Sequence, residues 1–193
     1  MPTRSLGRVL MRKISMDNNR LNREAALRAA EAGMPVFPVK AQKISGKQWN
    51  LSPVYPSGPR AATTSPDKIA VWWDEHLDAI PATPCTSVVV LDVDQDGVAA
   101  FEALIADKHW PSPPVVLTPT GKQYYFLQPN PPLDYHTGAL PDGIDVRGVG
   151  GFVVAPGATV LGGARWRVDE NVPSTSIPEL PGWLEHIIRA PGF

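Results

Sequence analysis

Val88-Val89-Val90-Leu91-Asp92-Val93-Asp94-Gln95-Asp96-Gly97 decides how this chain folds. Three valines and a leucine run straight into two aspartates, and Gly97 then breaks the segment. A continuous apolar run bounded by turn residues predicts a buried strand. Side chains alternate along a strand, so Asp92 and Asp94 fall on the same face. Two carboxylates held side by side repel each other and lose hydration, so they require a compensating cation. Hard oxygen donors of this kind suit Mg2+ or Mn2+, shared with substrate phosphates. Asp96, just before Gly97 and an Ala/Leu/Ile-rich stretch, reads as the cap of the next helix and takes no catalytic role.

The chain has 193 residues, enough for one sizeable domain with a real core. Its net charge is −1, so contact with nucleic acid has to come from a local basic patch and not from a global field. Cys85 is the single cysteine, which excludes an internal disulfide and a cysteine-rich zinc site and fits a reducing cytoplasm. No apolar stretch approaches the roughly 20 residues of a membrane span. The N-terminus is basic at Arg4, Arg8, Arg12 and Lys13 but has no long apolar core, so no secretory signal is read.

Working outward, residues 1–20 show little periodicity and are expected to form a flexible arm before a domain spanning 21–190. Asn22 is expected to cap a helix that ends at Gly33. Residues 34–40 read as a strand whose prolines, Pro35 and Pro38, favour a sheet edge. Residues 41–62 are polar and predict a long loop, basic at Lys40, Lys43, Lys47 and Arg60 and suited to phosphates. Ser65-Pro66 signals a helix start, and at least one of Trp72 and Trp73 beyond it belongs to a core. After Gly97 a helix is expected near 98–107, then strands at 115–118 and 123–128 joined by Pro119-Thr120-Gly121. Residues 144–148 and 151–158 are expected to pair with each other, 164–168 to add a strand, and Trp183 to Ile188 to form a final helix. His76, His109, His136 and His186 have no metal-ligand spacing and read as structural or surface residues. The expected class is α+β, a mixed or antiparallel sheet with flanking helices and with the carboxylates on an open face.

Six segments in order carry a resemblance: residues 24–40 (EAALRAAEAGMPVFPVK), ATTSPDKIAVWW, VVVLDVDQDG, TPTGKQYYF, GIDVRGVGGFVVAPGA and ELPGWL. Together they resemble the N-terminal primase–polymerase domain of the archaeo-eukaryotic primase superfamily, found in bifunctional plasmid and phage replication proteins. The resemblance covers roughly residues 24–186. It implies a primase-like core that makes or extends primers from nucleoside triphosphates on a single-stranded DNA template, with Mg2+ or Mn2+. It implies that Asp92, Asp94 and Asp145 hold the metal and are the catalytic residues. Arg147, two residues after Asp145 and hence on the same strand face, is a candidate for phosphate or carboxylate. Relatives usually carry a helicase domain after this one, so the expectation is a separate helicase partner or a longer parent protein.

The family's middle motif usually reads Ser/Thr-Pro-x-Gly-Gly-Arg-His, its histidine meeting the nucleotide's phosphates. Here Thr118-Pro119-Thr120-Gly121-Lys122-Gln123 places Gln123 at the histidine position and Lys122 before it. A glutamine amide donates hydrogen bonds but carries no charge, so Lys122 is expected to share the binding of triphosphate. A second departure precedes the aspartates, where Ala79 to Cys85 replaces a glycine-containing stretch. Two alternatives follow. One is a weakened relative that binds single-stranded DNA or nucleotide without making primers. The other is a metal-dependent glycosyltransferase, which also uses Asp-x-Asp.

Overall fold

The structure, a computed structural model, describes residues 3–45, 48–135, 140–172 and 176–190. It is an α+β chain whose helices accompany two antiparallel sheets, and it divides into two compact units. Lys47 and His136 lie outside the described residues.

The first unit contains the chain up to Thr83 together with Val154–Trp166. It opens with α1 (Thr3–Glu31), so from Thr3 the expected arm is helix instead. Leu6, Val9, Leu10 and Ile14 recur at helical spacing there, a signal that Gly7 and the interspersed Arg, Ser and Lys residues obscured. Gly33 ends α1 as expected, and the Gly33 and Met34 amides donate to Ala30 and Ala29 in a Schellman closure. Asn22 is not a cap. It lies buried in mid-helix, where its amide donates to the Thr159 carbonyl and accepts from the Thr159 amide, at 2.9 and 2.8 Å.

Next come β1 (Phe37–Ser45) and β2 (Gln48–Pro53), paired as an antiparallel hairpin across residues read as loop. Val39 and Ala41 on β1 and Trp49 and Leu51 on β2 do share one apolar face, a short alternation that the Lys, Ser, Gly and Pro residues around it outweigh in a reading by composition. α2 (Pro66–Glu75) starts as expected, with Ser65 Oγ accepting from the Lys68 amide. It buries both Trp72 and Trp73, and Trp73 Nε1 donates to the Ala79 carbonyl. β3 (Ile80–Pro84) pairs with β1, so β1 has neighbours on both sides and is not an edge. Pro38 sits opposite Pro81, where two missing donors face each other at little cost to the ladder.

The second unit contains Pro84–Val153 and the chain from Arg167 onward. β4 (Val88–Asp94) is the predicted aspartate strand. A 3-10 turn at Gln95–Gly97 leads into α3 (Val98–Ile105), and no side chain caps that helix, Asp96 included. β5 (Val115–Leu117) and β6 (Gly121–Leu127) follow, then β7 (Ile144–Arg147). Residues 152–154 form β8 (Phe152–Val154), where the chain returns to the first unit, and β9 (Arg167–Val168) follows. The last helix is α4 (Gly182–Arg189). The five-stranded sheet has the order β7-β4-β6-β5-β9, with all four ladders antiparallel. β7 pairs with β4, and the expected pairing of 144–148 with 151–158 does not form, because β8 belongs to the other sheet.

One face of this sheet is a dry core. Val89, Leu91, Val93, Phe126, Ile144 and Val146 pack there with Phe101 of α3 and with Leu184 and Ile188 of α4. The odd positions of β4 thus bury, and Asp92 and Asp94 turn the other way. Helices lie behind the sheet and carboxylates face away from it, as the sequence led one to expect.

Candidate active site

Antiparallel register builds the site. Asp92 is directly opposite Asp145 on β7 and directly opposite Gln123 on β6, so Asp145, Asp92 and Gln123 form one row across three strands. Residues opposite one another on a ladder lie within side-chain reach. Arg147 is two residues along β7 from Asp145 and pairs with Val90, which places it on the same face one row over. Asp94 is two residues along β4 from Asp92 and exposed. Lys122 is the exception. It pairs with Val93, so it projects to the opposite face and is exposed there; the structure does not bring it to the row.

Hydrogen bonds tie the row together. The Arg147 guanidinium donates through Nε to Asp92 Oδ2 at 3.2 Å and through a terminal nitrogen to Asp145 Oδ2 at 3.1 Å. Gln123 Nε2 donates to Asp92 Oδ1 at 3.3 Å, and the Tyr125 hydroxyl donates to Gln123 Oε1 at 3.5 Å. Both oxygens of Asp92 are therefore engaged from within the protein. The face of Tyr135 stacks against Arg147, 5.1 Å from the guanidinium carbon to the ring centre. Tyr135 is held there because its amide donates to the Val149 carbonyl while the Val149 amide donates to Leu133.

Burial pushes the Asp92 carboxyl above the ordinary carboxylate range; Arg147 works against that shift and nearby Asp94 adds to it. The guanidinium itself is also partly buried, and Asp92, Tyr135 and Asp145 outweigh that burial to keep it a firm cation. Tyr125 is buried and its hydroxyl stays protonated.

Turns position the strand ends. The Thr118 hydroxyl accepts from the Thr120 and Gly121 amides at 3.2 and 2.9 Å, and the Thr120 carbonyl accepts from the Gln95 amide at 2.8 Å. On the other side the Asp94 amide donates to the Gly143 carbonyl at 2.8 Å. Gly143 has φ +81 and touches Gly97 backbone to backbone; a Cβ at Gly143 would lie 2.8 Å from Gly97.

The donor chemistry fits a hard divalent cation, since three carboxylates share one sheet face. As the side chains stand, however, the guanidinium lies between Asp92 and Asp145. Among the described residues no three His, Cys, Asp or Glu gather closely enough to hold a metal ion. Tyr125 and Tyr135 were missed from the sequence. Tyr125 follows Gln123 by two residues and was within reach of strand alternation; Tyr135 sits on a loop with no such signal.

Cys85 lies near this face. It is fully buried, and burial pushes its thiol up to about 12. The thiolate is the reactive form, so the folded protein should resist alkylation. A disulfide reagent at pH 8 is expected to titrate no thiol in the native protein and one in denaturant. Rapid native labelling would show that this wall opens readily.

The sequence matches the family described as "Bifunctional DNA primase/polymerase, N-terminal" (Prim-Pol) over residues 26–183. That match covers most of the chain, and the chain belongs to this family. No curated protein matches it. No helix among the described residues is long and apolar enough to cross a membrane.

Proposed function

We propose that this chain performs metal-dependent, template-directed nucleotidyl transfer, making or extending DNA primers. The observation that carries the proposal is the juxtaposition of Asp92 with Asp145 across a strand pair, with Asp94 two residues on and the same face turned from the core. Asp92, Asp94 and Asp145 would hold Mg2+ or Mn2+. When bound, the metal lowers the pKa of the primer 3′-hydroxyl and neutralises charge on the triphosphate and leaving group. Gln123 orients Asp92 through its amide, and Tyr125 holds that amide in one flip state. Arg147 is the one cation in the row, so it is the group best placed for triphosphate. Lys122 would serve only from the sheet's other face. Family membership leaves the glycosyltransferase alternative without support.

A template strand would need its own contact. The first unit has a cleft of about 320 Å³ lined by Lys40, Lys43, Trp49, Asn18 and Asp78, among others. Lysines beside a partly exposed tryptophan suit phosphate and an unpaired base. The weakened-relative reading retains one favouring observation, the neutral Gln123 hydrogen-bonded to Asp92 where relatives carry a histidine.

Primer extension on a single-stranded template, with Mg2+ and with Mn2+, tests the proposal. Synthesis is expected in wild type and none in Asp92→Ala/Asp94→Ala. Absence of synthesis in wild type, with a large gain in Gln123→His, would establish the weakened relative instead.

A further inference from the structure

The carboxylate row carries its own cation. Arg147 reaches both cross-strand aspartates, at 3.1 Å to each, and Gln123 takes the remaining oxygen of Asp92. Such a closed set of charge-assisted hydrogen bonds is strong and oriented, and Tyr135 holds the guanidinium from its flat side. The three-member group Asp92, Asp145 and Arg147 carries a net charge of −1, far less attractive to a divalent ion than two free carboxylates. Asp94, exposed, stands outside the network. Taking Arg147 away from this pair without offering it another anion would leave a half-buried cation unpaired, which is costly. Groups that can replace a carboxylate pair for a guanidinium are few, and a polyphosphate, accepted bidentately, is chief among them.

We propose that Arg147 is the resident counter-ion of the site, standing in for a divalent cation until a nucleoside triphosphate gives the guanidinium a new partner. The proposal rests on the nucleotidyl-transfer reading for its ligand. Metal and nucleotide then bind as a coupled pair, each weakly alone, because each needs Arg147 in the same new place. The coupling is reciprocal and of ordinary allosteric size, about tenfold or more.

Mn2+ binding to the whole chain, followed by electron paramagnetic resonance with and without dATP, tests this. Wild type should bind Mn2+ about tenfold or more tightly when dATP is present, beyond the Mn2+ that dATP itself holds. In Arg147→Met, which keeps a long apolar stem, Mn2+ alone should bind about tenfold more tightly than in wild type, and dATP should add little. Equal or weaker Mn2+ binding by Arg147→Met would overturn the proposal. So would wild type that binds Mn2+ equally well without dATP.

Wild type also supplies a readout that depends on no variant folding. The Nε–H signal of Arg147, bonded to Asp92, should move when Mg2+ and dATP are added together and stay in place with Mg2+ alone. A shift with Mg2+ alone, or none with both, refutes the idea. Parallel primer extension separates this from the activity: coupling without synthesis retains Arg147's role and refutes transfer, whereas synthesis without coupling does the reverse.

Discussion

Asp92→Asn is expected to abolish primer extension while leaving the protein at least as stable as wild type near neutral pH. The loss should reach at least about 1000-fold, since a carboxylate that orients a catalytic metal is worth several kcal/mol and each 1.4 kcal/mol is tenfold in rate. The retained stability follows from burial. Asp92 has its folded-state pKa raised above the unfolded value, chiefly by desolvation. Between those two values the folded protein holds more protons than the unfolded one, so stability falls as pH rises through that window. Above that window burial of the Asp92 carboxyl is thus a net cost, and an asparagine removes it. Arg147 keeps Asp145 as its ionic partner, and the new amide oxygen can still accept from the guanidinium. Thermal unfolding without metal should therefore show the variant equal to or above wild type at pH 7. Its advantage should shrink at acid pH, where Asp92 is protonated in both states. A variant that still extends primers would remove Asp92 from the catalytic centre. One that melts well below wild type would show that the Arg147 pair outweighs desolvation.

Much of the second unit was legible because its signals are local and redundant. Val88 to Leu91 could only be a buried strand, and alternation then put Asp92 and Asp94 together. The pairing of that strand was not legible. Residues 144–148 lie only a few positions from 151–158 and invite a hairpin, yet β7 crosses to β4, because only there does it bury Ile144 and Val146 in the core of the second unit. That long-range choice is what makes Asp145 a neighbour of Asp92. Lys122 falls outside the Asp92 row for the opposite reason. Its strand was read correctly, and adjacent residues on a strand cannot share a face; the sequence already forbade Lys122 and Gln123 from meeting the same phosphate directly.

In the first unit polarity hid the structure. Trp49 and Leu51 alternate on β2 as a strand requires, but the Lys, Ser, Gly and Pro residues around them outweigh so short a signal, so residues 41–62 read as loop until the partner strands are known. Asn22 shows the same limit at a single residue. An asparagine near a helix start is most often a cap, but here the helix extends back to Thr3 and the side chain joins a loop 137 residues away. Pattern reading has no access to a contact of that sequence separation.

Gly121→Ala should be among the most damaging single substitutions in the chain. Gly121 sits opposite Asp94 where β6 enters the sheet, and a Cβ there would lie 1.9 Å from the Val93 carbonyl oxygen and 2.9 Å from the Asp94 Cα. Both obstacles are backbone, so no rotamer change relieves them and the two central strands must part. Overpacking of this kind costs about 3 kcal/mol. For a chain of this size that corresponds to a fall of roughly 6–12 °C in melting temperature. Parting β4 from β6 at Asp94 also draws Gln123 away from Asp92, two residues further along the ladder, so primer extension should fall with stability. Gly182→Ala is the control. It stands in the first turn of α4 with nothing within 4 Å of the added carbon, and alanine is the better helix former. Its melting temperature should match or slightly exceed wild type. If Gly121→Ala melts within about 2 °C of wild type, a change under roughly 1 kcal/mol, then β4 and β6 are not held as closely as this register requires. The alignment of Gln123 with Asp92 would fall with them.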